Sequence, residues 1–359
     1  MPMRFPPSVQ TTYSDLLDQA QEAAFENAFA GAGIFVTKTI KDRTYWYFRD
    51  ERNKETYAGP DSDEVRAKID RHRAIRSDER KRRTLVSMLK RAGLPSPPPQ
   101  VGEILTVLAQ AGAFRLRTCI VGTHAYGIYP SILGIRVDGA SARTGDLDLA
   151  QFYPVSVAIA EDEKIERLVD VLREADPTYR PVSKAFNEGK AIAYVNAQKY
   201  KVEILSPNRG ADRDEPISLP AIGSHAQGLR FLDFLIYDAI PAVVLHGPGV
   251  VVNVPTPERY AVHKLIVAHR REKDRAKAVK DLSQAAQLID ALWEIQRGDL
   301  LRVFEEALDR GPAWREAIGH SMPNLAGLLP DEVSGTLNKM LQPKAEPVGK
   351  PDSLGDPSP

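Results

Sequence analysis

Two aspartates spaced two residues apart are the first feature of this sequence that could do chemistry. Asp146 and Asp148 alternate with Leu147 and Leu149. Residues i and i+2 of a strand point to the same face, so a strand here places both carboxylates on one face and both leucines on the other. Carboxylates that lie so close repel each other unless a cation neutralises them. The pattern therefore predicts a cation site on one face of a sheet.

Mg²⁺ is the natural ion for such a pair, because it takes oxygen ligands and commonly uses one or two carboxylates plus substrate phosphates. A third acid on a neighbouring strand would complete a two-metal site. Glu203 is the candidate, in an apolar strand-like run where it shares a face with Lys201 and Leu205. The alternative is that Glu203 is a solvated residue of an edge strand.

A glycine turn precedes the aspartates. The apolar run 118–121 is typical of a strand, and Gly122 and Thr123 follow it at the start of a predicted helix. Amides exposed at a helix N-terminus favour phosphate, and glycine lets the backbone approach a ligand closely. We expect Gly122 and Thr123 to contact phosphate. For His124 and Tyr126, capping and packing are the simpler interpretations, and substrate contact or base stacking is the alternative.

Together these residues resemble the polymerase-β-type nucleotidyltransferase superfamily, which combines a glycine turn, an Asp-x-Asp strand and a later acidic strand residue. An aromatic run at 45–47, the Asp-x-Asp context and the segment 257–282 are similar to one bacterial family within it, over about residues 10–340. The resemblance implies an α+β fold with a mixed-sheet catalytic core. It also implies Asp146 and Asp148 as metal ligands, with Glu203 as the third acid that helps activate the acceptor.

The sequence departs from the superfamily pattern at two positions. The turn reads Gly122-Thr123 instead of Gly-Gly or Gly-Ser, and the third acid is Glu203 instead of Asp. Thr123 keeps a hydroxyl for phosphate contact. The additional methylene of Glu203 moves its carboxylate by about 1 Å, a displacement that can reduce activity.

A basic stripe follows the predicted core. Lys264, Arg271 and Arg275 are spaced by seven and four residues, which puts them on one face of a single helix. In related nucleotidyltransferases a lysine on the helix after the catalytic sheet holds nucleotide phosphate. By that resemblance we expect Lys264, and with it Arg271, to bind nucleotide. The alternative is an ordinary solvated helix face.

The proline-rich run 95–99 predicts a stiff linker and the main domain boundary. Residues 1–94 are expected to form an accessory module of a helix capped by Ser14, three short strands and a long helix to about Arg91. The catalytic core is expected at 96–255 and a helical domain at 256–342. The tail at 343–359 has the composition of a disordered segment.

The bulk composition excludes some function classes. Lys+Arg and Asp+Glu both number 48, and this zero net charge argues against a protein that coats nucleic acid. The single cysteine, Cys119, forms no internal disulfide and is expected to be a small buried hydrophobic residue. With no signal-like N-terminus and no long apolar run, we expect a cytoplasmic protein without membrane spans.

These observations predict a Mg²⁺-dependent nucleotidyltransferase with two ions. It would move a nucleoside monophosphate from an NTP to an acceptor hydroxyl and release pyrophosphate. A protein hydroxyl, an RNA end and a small molecule all remain open as acceptors. One alternative is a catalytically silent nucleotide-binding or interaction module of the same fold. Another is an RNA-binding surface built from the aromatic strands and the basic helices, with RNA as the acceptor.

Overall fold

The structure is a computed structural model, and it describes residues 3–28, 33–40, 43–50, 53–72, 79–137, 144–160, 163–165, 167–183, 189–208, 215–271 and 274–342. The chain divides into two compact units, Met1–His263 and Lys264–Pro359. The sequence predicts a boundary just before Thr256. The division of the compact units falls a few residues later, inside the helix Pro257–Arg270.

The first unit begins with the predicted accessory elements. Its strands form an antiparallel sheet in the order β1-β2-β3, at the positions that the sequence predicts. The first helix starts at Pro7 and not at Ser14, because proline is preorganised for the first helical turn. The elements are α1 (Pro7–Ala28), β1 (Gly33–Ile40), β2 (Arg43–Asp50), β3 (Glu55–Pro60), α2 (Asp63–His72) and α3 (Glu79–Arg91). The long predicted helix is thus described as two helices, and 73–78 lie outside the described residues.

Both helices and strands follow, to the end of β12 in the first unit. They are α4 (Pro99–Gln110), β4 (Cys119–Val121), α5 (Gly122–Tyr126), α6 (Tyr129–Leu133), β5 (Asp146–Ala150), α7 (Tyr153–Ala160), α8 (Leu168–Ala175), β6 (Arg180–Val182), β7 (Ala193–Val195), β8 (Lys201–Pro207), β9 (Ile217–Leu219), β10 (Ser224–Leu229), α9 (Leu232–Leu235), β11 (Ala239–Val244) and β12 (Val250–Pro255). A short 3₁₀ turn, Pro220–Ile222, lies between β9 and β10.

The central sheet has the order β4-β5-β8-β10-β9, and β7 joins β8 to β6. The pairs β5/β8 and β8/β10 are parallel, while β4/β5, β9/β10, β6/β7 and β7/β8 are antiparallel. This is the mixed sheet that the sequence predicts. A separate hairpin pairs β11 with β12.

Hydrophobic burial sets which face of β5 and β8 is charged. Leu147 and Leu149 of β5 and Val202 and Ile204 of β8 are at most 1% exposed. Each such side chain stabilises the fold by roughly 1.5–3 kcal/mol. A slip of one residue would expose all four, so the register is strongly specified. The intervening acidic residues are therefore held together on the opposite face.

The helical unit follows. It is built from the end of α10 (Pro257–Arg270) with α11 (Arg275–Ile295), α12 (Arg297–Asp309), α13 (Pro312–Ser321) and α14 (Asp331–Leu341), with a 3₁₀ turn at Met322–Leu325. Its core is apolar, with fully buried Leu288, Leu292, Phe304 and Leu337. The predicted disordered tail at 343–359 lies outside the described residues. No helix in the described ranges is long and apolar enough to cross a membrane.

Candidate active site

Strands β5 and β8 bring the three predicted acids onto neighbouring positions of one sheet face. Asp148 of β5 lies directly opposite Glu203 of β8, and Asp146 lies opposite Lys201. All four side chains alternate with fully buried residues and are themselves only half-buried. Like charges directly opposite each other destabilise a sheet. The pair Asp148 and Glu203 therefore needs a positive charge nearby.

Gly122 brings the backbone of the glycine turn against the second aspartate. Val121 of β4 pairs with Asp148, so Gly122 follows immediately at the same level of the sheet. Its φ of 66° is left-handed, a conformation that glycine adopts at little cost. A Cβ at Gly122 would lie 2.2 Å from Oδ2 of Asp148. The turn and the aspartate thus form one closely fitted unit.

A lysine supplies the positive charge at the third acid. The Lys201 ammonium donates a short, charge-assisted hydrogen bond to Oε1 of Glu203, on the same strand and the same face. The two side chains are 42% and 32% exposed, so the ion pair lies at the solvent boundary. Within the described ranges, no three His, Cys, Asp or Glu side chains are grouped to hold one ion. Because the Glu203 carboxylate already pairs with the Lys201 ammonium, the carboxylates of Asp146 and Asp148 are the donors on this face whose chemistry fits Mg²⁺ together with substrate oxygens.

The first aspartate is also held in place by its own loop. The Thr144 hydroxyl donates a hydrogen bond to Oδ1 of Asp146. Asp146 keeps its second carboxylate oxygen for other partners, since a carboxylate accepts through both oxygens. The residues that lead into this loop, 138–143, lie outside the described part of the chain.

A histidine–tyrosine pair lies beside the aspartates. Nε2 of His124 and the hydroxyl of Tyr200 are 2.8 Å apart. Burial, and then the negative charges of nearby groups that include Asp146 and Asp148, raise the pKa of Tyr200 far above its usual value. The phenol is therefore neutral at physiological pH and able to donate a hydrogen bond. His124 thus has a polar partner beyond the simple capping role considered from the sequence.

The turn after Gly122 is packed by aromatic residues. The Tyr260 hydroxyl donates to the Gly122 carbonyl at 2.9 Å, and the Tyr126 and Tyr260 rings stack with centroids 6.1 Å apart. Tyr126 is 2% exposed, which places it in the core and leaves no free face for a base. The helix that Thr123 enters, α5, has only five residues. The predicted phosphate contact therefore depends on local amides more than on a long helix dipole.

The basic residues of the second unit do not form the single helical stripe that the spacing predicts. α10 ends at Arg270, so Arg271 follows the helix and Arg275 begins α11. Lys264 is buried, and its ammonium lies 2.5 Å from Oδ1 of Asp281. Arg271 lies 3.0 Å from the other oxygen of the same carboxylate and is 38% exposed. Asp281, a buried acid on α11, thus pairs with both residues that the sequence predicts to bind nucleotide.

The aromatic strands of the accessory module are largely engaged in packing. Tyr47 and Phe48 are buried, and Trp46 donates to Asp61 at 2.8 Å. Arg115, which follows α4, donates to the Tyr57 carbonyl at 3.0 Å and ties the module to the core. Packing is the interpretation that these contacts favour over base stacking.

A model of a family described as nucleotidyltransferase matches residues 99–309, more than half of the chain. The chain belongs to this nucleotidyltransferase family. A search of curated proteins and a search of solved structures return no match. The match begins at the first residue of α4 and ends at the last residue of α12. It therefore covers the mixed sheet with Asp146, Asp148 and Glu203, and it leaves the accessory module outside.

The family match and the mixed sheet confirm the predicted α+β nucleotidyltransferase fold with its N-terminal helix and strand module and its C-terminal helical region. Sequence reasoning missed two features of this nucleotidyltransferase. Lys201 was noticed only as a neighbour of Glu203 on one face, although a lysine two residues before an acid on a strand is itself a signal for an ion pair. Tyr200 carried no local signal, because His124 is its partner across the fold.

Proposed function

We propose that this nucleotidyltransferase is a Mg²⁺-dependent enzyme that moves a nucleoside monophosphate from an NTP to an acceptor hydroxyl and releases pyrophosphate. The observation that supports the proposal is the fit of Asp148 against Gly122, with Asp146 on the same strand face. This arrangement puts two carboxylates beside backbone that can approach a phosphate closely. Family membership supplies the reaction type.

Asp146 and Asp148 are the residues that would hold the metal. When bound, Mg²⁺ neutralises triphosphate charge and lowers the pKa of a coordinated hydroxyl. The Thr144 hydrogen bond orients the Asp146 carboxylate, and the packed Gly122 turn orients that of Asp148. Such preorganisation is the main protein contribution when the reaction needs positioning and charge stabilisation.

The transfer itself balances simply. The acceptor oxygen forms a bond to the α-phosphorus, and the bond from that phosphorus to the α,β-bridging oxygen breaks. Pyrophosphate leaves with the electron pair. Glu203 is the proposed acceptor of the hydroxyl proton and the proposed third acid of a two-ion site. To hold an ion, its carboxylate must first release the Lys201 ammonium. The amides of Gly122 and Thr123 are the proposed phosphate contacts of the core.

Lys264 and Arg271 are the residues of the helical unit that we propose to bind nucleotide. Their present contacts differ in how easily each side chain could turn to a phosphate. Lys264 would have to exchange a buried carboxylate for a phosphate. Arg271 is more exposed and keeps further N–H donors for phosphate, since a guanidinium carries five. Arg271 is therefore the stronger of the two proposals.

A catalytically silent nucleotide-binding module is the second candidate function. The observation that favours it is the engagement of Glu203 by Lys201, together with the lack of a three-acid group among the described residues. A protein of this kind would bind NTP with a divalent ion and leave it intact. The acceptor is not needed for such a role, so binding without turnover is its signature.

The purified protein is incubated with Mg²⁺, cell lysate and each of the four NTPs, labelled either at the α- or at the γ-phosphate. Nucleotidyl transfer predicts that the α-label enters an acceptor and the γ-label leaves as pyrophosphate. Transfer of the γ-label would instead indicate a kinase and overturn the proposal. Sequential digestion of the product with protease and with ribonuclease then assigns the acceptor to a protein, an RNA end or a small molecule.

The matched control for this experiment is the double variant Asp146→Asn and Asp148→Asn, which keeps size and hydrogen bonding while removing both charges. Asp170→Asn, on the exposed side of α8, makes the same chemical change away from β5. Loss of labelling in the double variant alone supports the assignment. Nucleotide binding by the wild type with no label transfer under any condition favours the silent module.

A further inference from the structure

The charge pattern across β5 and β8 gives Lys201 a role that the predicted metal site does not include. In parallel register, Lys201 lies opposite Asp146, and Glu203 lies opposite Asp148. One cation and three anions therefore share four neighbouring positions on one face. An ammonium among three carboxylates lowers the affinity of the site for further cations.

The ammonium is committed to one of the three acids. Lys201 bonds to Glu203, its neighbour on the same strand, although it also faces Asp146 across the sheet. Asp146 instead accepts the Thr144 hydroxyl, and Asp148 is seated against Gly122. The face thus holds an ion pair, Lys201 with Glu203, beside the two aspartates of β5.

We propose that Lys201 is the built-in counter-ion of Glu203 and that it restricts the nucleotide-free protein to one divalent ion, held by Asp146 and Asp148. This inference rests on the proposed function of the same site. A second divalent ion at Glu203 would lie next to the ammonium, and the repulsion between the two cations opposes its binding. Glu203 becomes available only when Lys201 moves to another anion, and a triphosphate is the anion that the proposed reaction supplies.

The exposure of the pair makes such an exchange sterically simple. Both side chains reach solvent, at 42% and 32% exposed, and a lysine stem has four rotatable bonds. Lys201 is therefore a positioning residue, which acts by controlling when Glu203 is free. Because the pair is not buried, neutral substitutions at either position should leave the fold intact.

The experiment measures Mn²⁺ binding to the nucleotide-free protein, by the electron paramagnetic resonance signal of free Mn²⁺ and by calorimetry. The wild type should bind one ion, and Asp148→Asn should lose it. Glu203→Gln should keep the ion, with an affinity weakened by up to about tenfold, because the Lys201 ammonium loses the carboxylate that neutralises it. Lys201→Met should either add a second ion or tighten binding at least about tenfold, the smaller end of the effect expected from a charge within about 4–6 Å.

Two further variants test whether the gain works through Glu203. The double variant Lys201→Met and Glu203→Gln should return to wild-type binding, and Lys201→Arg, which keeps the charge, should remain like the wild type. Lys68→Met, which breaks the Lys68–Glu64 pair on α2, repeats the charge change outside the core and should have no effect. Circular dichroism and thermal unfolding of each variant show that the fold is retained.

The outcomes separate this inference from the function on which it rests. A wild type that binds no Mn²⁺, or an Asp148→Asn variant that binds it like the wild type, overturns both. A single ion that Glu203→Gln weakens as strongly as Asp148→Asn overturns only the role of Lys201. Unchanged binding in Lys201→Met, or two ions in the wild type, does the same.

Discussion

Oδ2 of Asp148 lies where a side chain on Gly122 would begin, with 2.2 Å separating it from the ideal Cβ position. Gly122 directly follows β4, whose last residue, Val121, pairs with Asp148 of β5. A single contact thus links the glycine turn and the Asp-x-Asp strand, which the sequence shows only as separate motifs. The closeness leaves room for a hydrogen atom and for nothing larger.

This contact predicts that Gly122→Ala disables the site. The substitution puts a methyl group into the Asp148 carboxylate and forces an alanine into the left-handed region, which alone costs roughly 1–2 kcal/mol. Mn²⁺ affinity should fall and thermal stability should decrease. Gly145→Ala is the control, because nothing lies within 4 Å of a Cβ at that position. Equal Mn²⁺ affinity in the two variants would show that the contact between Gly122 and Asp148 does not contribute to metal binding.

The carboxylates of β5 should be individually required. Asp146→Asn and Asp148→Asn should each reduce label transfer by about 100-fold or more, as expected when a single stabilising group of the transition state is removed. Nucleotide and Mg²⁺ together should raise the melting temperature of the wild type, and neither variant should show that rise. Melting scans with and without the ligands, and the transfer assay, provide the measurements. Retained activity in both single variants would contradict the assignment of the site.

Lys264 should matter first for stability. Removing its ammonium in Lys264→Met leaves the Asp281 carboxylate, only 2% exposed, with Arg271 as the remaining ion-pair partner described. Breaking an isolated buried pair costs about 3–5 kcal/mol, and Arg271 should reduce that loss. The double variant Lys264→Met and Asp281→Asn should recover part of the stability in urea unfolding.

Measurements of nucleotide affinity then distinguish a phosphate-binding role of Lys264 from a purely structural one. If Lys264 contacts phosphate, Lys264→Met should weaken triphosphate binding much more than nucleoside binding, and more so at low salt. Equal weakening of both ligands would indicate a purely structural lysine. Arg271→Met, at a more exposed position, should show the phosphate effect with a smaller loss of stability.

The hydrogen bond between His124 and Tyr200 predicts a difference between two buried tyrosines. Tyr200→Phe removes the hydroxyl 2.8 Å from His124 and should lower the free energy of unfolding by about 0.5–1.5 kcal/mol. Tyr179→Phe is the matched control, since its buried hydroxyl has no hydrogen-bond partner in the part of the chain that the structure describes. Urea unfolding should show Tyr179→Phe to be neutral or stabilising. A larger loss for Tyr179→Phe would contradict this reading.

The accessory module should show a characteristic acid response. Hydrogen bonds from Arg66 and Trp46 lower the pKa of Asp61 to about 2. A carboxyl whose folded pKa lies below its unfolded value, about 3.9, stabilises the fold above that value and loses the contribution as the pH falls through about 2. The stability difference between wild type and Asp61→Asn should therefore be full at pH 6 and shrink between about pH 4 and 2.

The shift of the Trp46 indole proton, which is bonded to Asp61, reports the titration directly by nuclear magnetic resonance. Asp63→Asn is the control, because that side chain is fully exposed and its contact with Arg66 is long, at 3.6 Å. A Trp46 titration midpoint near 4 would show that Asp61 is not held by these partners.

The local periodicity of the sequence was sufficient for much of the fold. Alternation of acids with leucines in β5 predicted a strand with a charged face, because each apolar side chain gains free energy only when it is buried. The three accessory strands and the helical end of the chain were predicted for the same reason. Where two local signals competed, as at Pro7 and Ser14, the sequence placed the helix start too late.

Contacts between distant segments were decided by the tertiary structure alone. The sequence grouped Glu203 with the aspartates from its apolar strand-like run and from the resemblance. Only the parallel register of β5 and β8 put it directly opposite Asp148. Likewise, seven-residue spacing grouped Lys264 with Arg271, but what joins them is a carboxylate on the next helix. Charge pairs between distant segments carry no periodicity, and their geometry depends on which strands and helices become neighbours. The sequence by itself determined which residues could do the chemistry, and the fold determined which of them meet.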